Sequence, residues 1–456
     1  MPDDRLTIRA VRAAAVPLQR DPADHDRLLD LVGDRHFVLL GEASHGTHEF
    51  YATRAVITRR LVEERGFDAV VVEGDWPDSD RVNRWLRGRG HDVDADDSLG
   101  GFRRFPQWMW RNDDVVALVS ALRTHNRRAG RECAVGFYGM DLYSLHTSIE
   151  EVLRYLDRVD PDAARRARYR YSCFEHFGED PQHYGYAASF DLSQSCEDEV
   201  VPQLVELTRR APQLATADGE AEVDPADDFF SAEQNARLVL DAERYYRAMF
   251  RGRASSWNLR DTHMADTIDA LAAHLRRNGR AGKLVVWAHN SHLGDARQTE
   301  MGRGGEINVG QLMRERHGDD ALLVGFTTHV GTVTAAHDWG DPAQRMRVNP
   351  SLHGSVERLL HESSVAAGGK RWFVPFHGSA AADEARAALA QPRLERAIGV
   401  IYRPKTERVS HYFTAQASAQ FDCLYHFDET RAVVPLERAP SWSDIPEPPE
   451  TFPTAL

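Results

Sequence analysis

The 456-residue chain holds four cysteines, Cys133, Cys173, Cys196 and Cys423, with no C-x-x-C pair among them. So few, so scattered, they exclude a disulfide framework, and the expectation is a reduced, cytoplasmic protein. No stretch approaches the ~18 apolar residues of a membrane span. Met1-Pro2-Asp3-Asp4-Arg5 places acids where a secretory signal needs bases, so neither export by that route nor anchoring is expected. Positive charge is in deficit: 56 basic against 70 acidic side chains leave a formal charge of −14. That balance repels phosphate backbones and anionic head groups, which argues against nucleic-acid and membrane partners. Internal repeats and low-complexity tracts are also missing.

Several catalytic signatures are absent. Ser44 sits in Glu42-Ala43-Ser44-His45-Gly46, without the flanking glycines of a nucleophile elbow. The first strand is not followed by G-x-G-x-x-G, and no G-x-x-x-x-G-K-[ST] or H-E-x-x-H occurs. Serine-triad, dinucleotide and P-loop chemistry recede.

What is present is the mix of an ordinary globular protein, 42% hydrophobic and 28% charged. Short aliphatic runs at His36–Leu40, Ala69–Val72, Cys133–Tyr138, Leu284–Trp287 and Leu322–Phe326 end in Gly or polar clusters and are followed by helical periodicity. They predict a parallel or mixed α/β sheet covered by helices on both faces. Further strands are expected at Arg371–Pro375, Ile398–Tyr402 and near Phe421–Phe427. Long helical patterns between about Ser144 and His274 predict an insertion over the carboxyl edge of the strands, with an acidic surface loop at Thr216–Pro225. The expected division is 1–143 and 275–430 for the two parts of the core, 144–274 for the insertion and 431–456 for an extended, Pro-rich tail.

Ligands of open α/β sheets sit outside the carboxyl ends of the strands. Those ends here are Gly41-Glu42-Ala43-Ser44-His45-Gly46, Val72-Glu73-Gly74-Asp75, Gly139-Met140-Asp141, Trp287-Ala288-His289-Asn290-Ser291-His292 and Thr327-Thr328-His329. Helix caps and surface ion pairs would account for any one of them; convergence on one sheet edge would bring Glu42, His45, Glu73, His289 and His292 into a single cleft. Helical register adds two arginines. Arg54 shares a face with Phe50, Ile57 and Leu61, and Arg260 lies four residues before Met264 on the stripe Met264, Ile268, Leu271 and Leu275. A guanidinium aimed inward needs a carboxylate, and Glu42 and Glu73 are natural partners; otherwise each arginine snorkels to solvent. The chemistry left is a histidine acting as general base on water, with a glutamate orienting its other nitrogen and arginines stabilising an oxyanion.

Together with Arg260-Asp261, the first, second and fourth of these motifs resemble the erythromycin esterase-like hydrolases over nearly the whole chain. The resemblance implies water-mediated opening of an ester or macrolide lactone, with His45 as base, no covalent intermediate, and Glu42, Glu73, Arg54, Arg260 and His289 lining the site. Succinoglycan-biosynthesis-like members of the same family imply that the motif does not select the substrate. A non-catalytic metabolite-binding protein is the alternative from another class. No cofactor is expected, although Glu42, His45, His289 and His292 are residue types that a divalent metal accepts. His292, Asp141, Trp76, Trp108 and Trp110 are the candidate substrate contacts, together with Phe105. The tryptophans serve equally well as packing between insertion and sheet.

Overall fold

The computed structural model describes residues 4–19, 21–130, 134–177, 181–189, 195–214, 225–250, 253–364 and 369–438. Its strands are β1 (Val16–Pro17), β2 (Phe37–Leu40), β3 (Ala69–Asp75), β4 (Gly136–Asp141), β5 (Leu284–Trp287), β6 (Ala321–Ala335), β7 (Gln344–Val348), β8 (Arg371–Pro375), β9 (Arg393–Arg396), β10 (Tyr412–Ala415) and β11 (Cys423–Thr430). Nine of them form one mixed sheet in the order β1-β8-β11-β6-β2-β5-β3-β4, with β7 paired to β6; β9 and β10 form a separate hairpin. From β11 to β4 every neighbour is parallel, while β8 pairs antiparallel with both β11 and β1, and β7 antiparallel with β6.

The run of aliphatics in the central strands follows from burial on both faces. Phe37, Leu39, Val71 and Val286 pack into one core, shared with the helices between β4 and β5. Val38, Leu40, Val70 and Val72 pack into the other, against Phe50, Ile57 and Leu61 of helix His48–Arg65 and Leu118, Val119 and Leu122 of helix Asp113–Ala129. A half-exposed strand would alternate with polar residues; these do not, because neither face meets water.

The helical insertion begins at Leu145–Val159, immediately after β4, and includes Pro161–Tyr171, Glu197–Arg209 and Pro225–Ala248. Helix Arg253–Arg277 then returns the chain to β5, which slots between β2 and β3. The carboxyl ends of β2, β3, β4 and β5 therefore lie side by side, close to the point where the chain crosses to the other half of the sheet.

Four expectations need correction. Cys173 and Cys196 form a disulfide with their Cα atoms 5.9 Å apart, because the turn after helix Pro161–Tyr171 and the start of helix Glu197–Arg209 meet inside the insertion. Ile398–Tyr402 is not a strand: Ile398 bridges Ser44 and Ile401 bridges Ala336, with no ladder between. β6 continues to Ala335, so His329 lies inside a strand rather than at its end. β4 begins at Gly136, and Cys133 lies outside the described residues, as do the loop 215–224 and the tail 439–456.

Candidate active site

Past β2 the chain turns through Glu42–Thr47 before entering helix His48–Arg65. Gly41 and Gly46 make this turn possible. A Cβ at Gly41 would lie 2.1 Å from Asn290 Oδ1, and Gly46 combines φ +69° with a Cβ position 2.3 Å from the Thr334 carbonyl. The turn is stapled from two sides, by the amide of His45 donating to the Ile398 carbonyl and the amide of Asn290 donating to the Glu42 carbonyl.

Glu42 is buried and its two oxygens are both engaged. Oε1 accepts from His45 Nδ1 at 2.9 Å, and Oε2 accepts from Arg54 Nη2 at 2.8 Å. Arg54 is completely buried, its guanidinium 4.6 Å from the Tyr51 ring centroid and 4.5 Å from that of Trp287. These ring faces meet positive charge where no acceptor is available. With Nδ1 engaged by Glu42, His45 turns Nε2 toward the cavity, 3.9 Å from Glu73 Oε1.

Glu73 is the hub of a second network. Oε1 accepts from Arg260 Nη2 at 2.8 Å and lies 3.3 Å from His292 Nε2; Oε2 accepts from the His289 amide at 2.9 Å. Burial alone would raise this carboxyl, but His292 above all, with Arg260, outweighs it and holds Glu73 well below the usual carboxylate range. Arg260 also grips Asp141 with two bonds, Nε to Oδ1 at 2.9 Å and Nη2 to Oδ2 at 2.6 Å, and lies over the Tyr143 ring. His289 is neutral: burial above all lowers its pKa to about 3. Its Nδ1 accepts from the Ser291 amide at 3.2 Å, so the ring proton sits on Nε2.

These groups open onto a cavity of about 900 Å³ lined by His45, Glu73, Asp141, Arg260, His289 and His292. Its other walls include the aromatics Phe105, Trp110, Tyr143, Tyr245, Tyr246, Trp257 and Trp339, the acids Asp75 and Asp78, and Arg104, which pairs with Asp75. Burial, then the nearby Asp75, pushes the Asp78 carboxyl up to about 7.

Placement of the predicted residues is uneven. Glu42 and Arg54 stand behind His45 and do not line the cavity. Trp110 lines it and donates Nε1–H to the Glu73 carbonyl at 3.2 Å. Trp76 instead packs against Phe230 of the insertion and donates to Ser231, and Trp108 is buried in the core beside Gly46. His48 pairs with Asp114 outside this cavity. The sequence reasoning passed over Tyr143, Tyr245, Tyr246, Trp257 and Trp339, and gave Asp261 no role. The aromatics carried no signal, since any buried ring serves a core equally well. Asp261 did carry one: it directly follows Arg260. Among the described residues no three His, Cys, Asp or Glu side chains are grouped as a metal would need. Of the four candidate ligands, Glu42 is spent on His45 and Arg54, and both nitrogens of His292 face carboxylates.

Parallel strands whose carboxyl ends join histidine, glutamate and arginine around one cavity define an α/β protein with a polar, acid–base-capable centre. The chain belongs to the erythromycin esterase family, whose model matches residues 62–430. It is 23% identical over 349 residues to erythromycin esterase type II of Escherichia coli, covering 74% of this chain and 80% of that protein. Among solved structures it is similar to a succinoglycan biosynthesis protein, with TM-score 0.75 and 19% identity over 95% of this chain and 99% of the other. It is also similar to an erythromycin esterase mutant in its open conformation, with TM-score 0.64 and 17% identity over 91% and 96%. At these identities the solved structures show the fold.

Proposed function

We propose that the protein is a hydrolase that cleaves an ester or lactone by general-base activation of water at His45. The observation that carries this reading is the orientation of one imidazole: Glu42, itself held by Arg54, takes Nδ1–H and leaves Nε2 facing the cavity. With Nε2 and Glu73 Oε1 3.9 Å apart, one water donates to both at an angle of about 90°. Its oxygen attacks the acyl carbon as a proton passes to Nε2, and the carbonyl electron pair moves onto oxygen. Arg260, which lines the cavity with Nη1 3.2 Å from His292 Nε2, supplies positive charge to the developing oxyanion. Collapse breaks the bond to the leaving oxygen, which takes the proton back from His45.

Nucleophilic serine chemistry is poorly supported by the same geometry. Ser44 Oγ is buried against Thr47 Oγ1 at 2.6 Å, and Ser291 pairs with His289, too weak a base at a pKa of about 3 to activate it. A cavity of about 900 Å³ walled by aromatics suits a large, partly apolar small molecule, and the names of its relatives make a macrolide lactone the first substrate to try.

The test uses purified wild type and His45→Ala, each with and without prior chelation, against macrolide lactones and aryl esters. Loss of about 10²- to 10⁴-fold in turnover is expected for the variant. The melting temperature should be preserved, because Arg54 still neutralises Glu42. Near-wild-type turnover by the variant sinks the assignment; activity lost on chelation and restored by a stoichiometric ion replaces the mechanism with a metal-dependent one.

A further inference from the structure

His292, like His45, has a carboxylate at each nitrogen, but it holds both of them closer. Nδ1 lies 2.9 and 3.0 Å from the two oxygens of Asp261, and Nε2 lies 3.3 Å from Glu73 Oε1. Nε2 also lies 3.2 Å from Arg260 Nη1, but a carboxylate at each nitrogen within 3.3 Å favours the ring that carries both protons. Asp261 is completely buried and receives the amide of Val309 at 3.1 Å as well; burial raises its carboxyl, and the facing His292, then Arg260, work against that rise. Trp257 stacks flat on the ring, centroids 4.5 Å apart with 6° between planes, which fixes its rotation and sets an aromatic face against a cation.

We infer that Asp261 is a positioning residue for the hydrolysis proposed above: through His292 it holds a second fixed positive charge beside Glu73, and so keeps that carboxylate ionised and turned toward His45. Arg260 alone does not serve, because its guanidinium is shared with Asp141. The charged groups around His292 are Asp261 and Arg260 from helix Arg253–Arg277 and Glu73 from β3, with His289, neutral, one turn away in its own segment. Burial and Arg260 oppose the proton; Asp261 and Glu73 outweigh them and raise the ring to about 9. Asp261 is a carboxylate acting on an imidazole that is not the base, two residues removed from the acyl group.

The proposal is tested by following the imidazole C–H resonance of His292 in the full-length protein, assigned by its absence in His292→Gln, from pH 5.5 to 10. Wild type should titrate near pH 9, Asp261→Glu should stay above 8, and Asp261→Asn should fall by at least one unit. The alkaline limb of kcat/KM on an aryl ester should move with it. A purely structural Asp261 would lower the melting temperature and leave that limb in place. A wild-type midpoint near 6.5, or an Asp261→Asn midpoint equal to wild type, overturns the inference; should Asp261→Asn not fold, the wild-type and Asp261→Glu midpoints still decide it. If no ester is turned over while His292 titrates near 9, the charge arrangement stands and the hydrolase reading alone fails.

Discussion

Two places in this sheet gather three histidines each. At the ends of β2 and β5, His45, His289 and His292 border one cavity with Glu73. Between β6 and β11, His329 stacks on His361 with centroids 3.7 Å apart, and His361 and His426 share Asp428 Oδ1 at 3.0 and 3.2 Å. The residue types are the same, yet the second group is closed on itself. His329 Nδ1 is taken by Ser351, His426 Nδ1 by Thr327, and none of the four residues lines the large cavity. Burial lowers both His329, to about 4, and His426. In the first group Nε2 of His45 makes no hydrogen bond and lies at the cavity wall, 3.9 Å from Glu73, and Nε2 of the buried His289 is unpartnered as well. Density of titratable groups does not make a site; an unspent valence directed at a cavity does.

The largest expected effect that tests this contrast lies behind the cavity. Arg54→Met should cost about 3–5 kcal/mol in a denaturant titration, because it strands the buried Glu42 carboxylate, and should abolish turnover by releasing His45. An unchanged stability would mean that Glu42 is not ionised, and would remove the orienting contact on which the contrast rests. Glu73→Gln is gentler on the fold. Arg260 keeps Asp141 and His292 keeps Asp261, so about 1–2 kcal/mol should go, while turnover drops at least ~10-fold through loss of the second acceptor for the attacking water.

Replacing His361 by Ala in the closed cluster should leave kcat/KM within about twofold and lower stability by about 1 kcal/mol. A tenfold loss of activity there would break the comparison, since it would couple the closed cluster to the cavity. The smallest effect concerns pH. His292, raised to about 9, contributes stability that is complete below its unfolded value near 6.5 and is lost as pH climbs through 9. His289, lowered to about 3, works in reverse, its contribution fading as pH falls from 6.5 toward 3. Melting curves of His292→Gln and His289→Gln should therefore converge on wild type at opposite ends of the range, the first at high pH and the second at low; parallel curves would show that neither ring is held in one protonation state.

Much of this site was visible in the chain before any folding. Periodicity alone turned Arg54 and Arg260 inward, and the aliphatic runs placed Glu42, Asp141 and His289 at strand ends, whereas Glu73, expected just past its strand, lies inside β3, which continues to Asp75. The ends of β4 and β6 were misjudged for a related reason. Gly139 and the polar residues Thr327–His329 look like punctuation, but they lie within strands whose partners satisfy their backbone.

What the sequence by itself determined is the set of groups and the edge they occupy, because side-chain direction along a strand or helix follows from local geometry every two or 3.6 residues. Only the tertiary structure decided who pairs with whom. Glu42 meets an arginine one helix away, at position 54, but Glu73 meets Arg260 and His292 across the whole insertion, and Asp261 finds His292 only because β5 slots between β2 and β3. The same is true of Trp110 at the cavity against Trp76 and Trp108 in the core, and of Cys173 meeting Cys196. Contacts of that kind depend on strand order and on the angle at which the insertion lands, neither of which leaves a periodic trace in the chain.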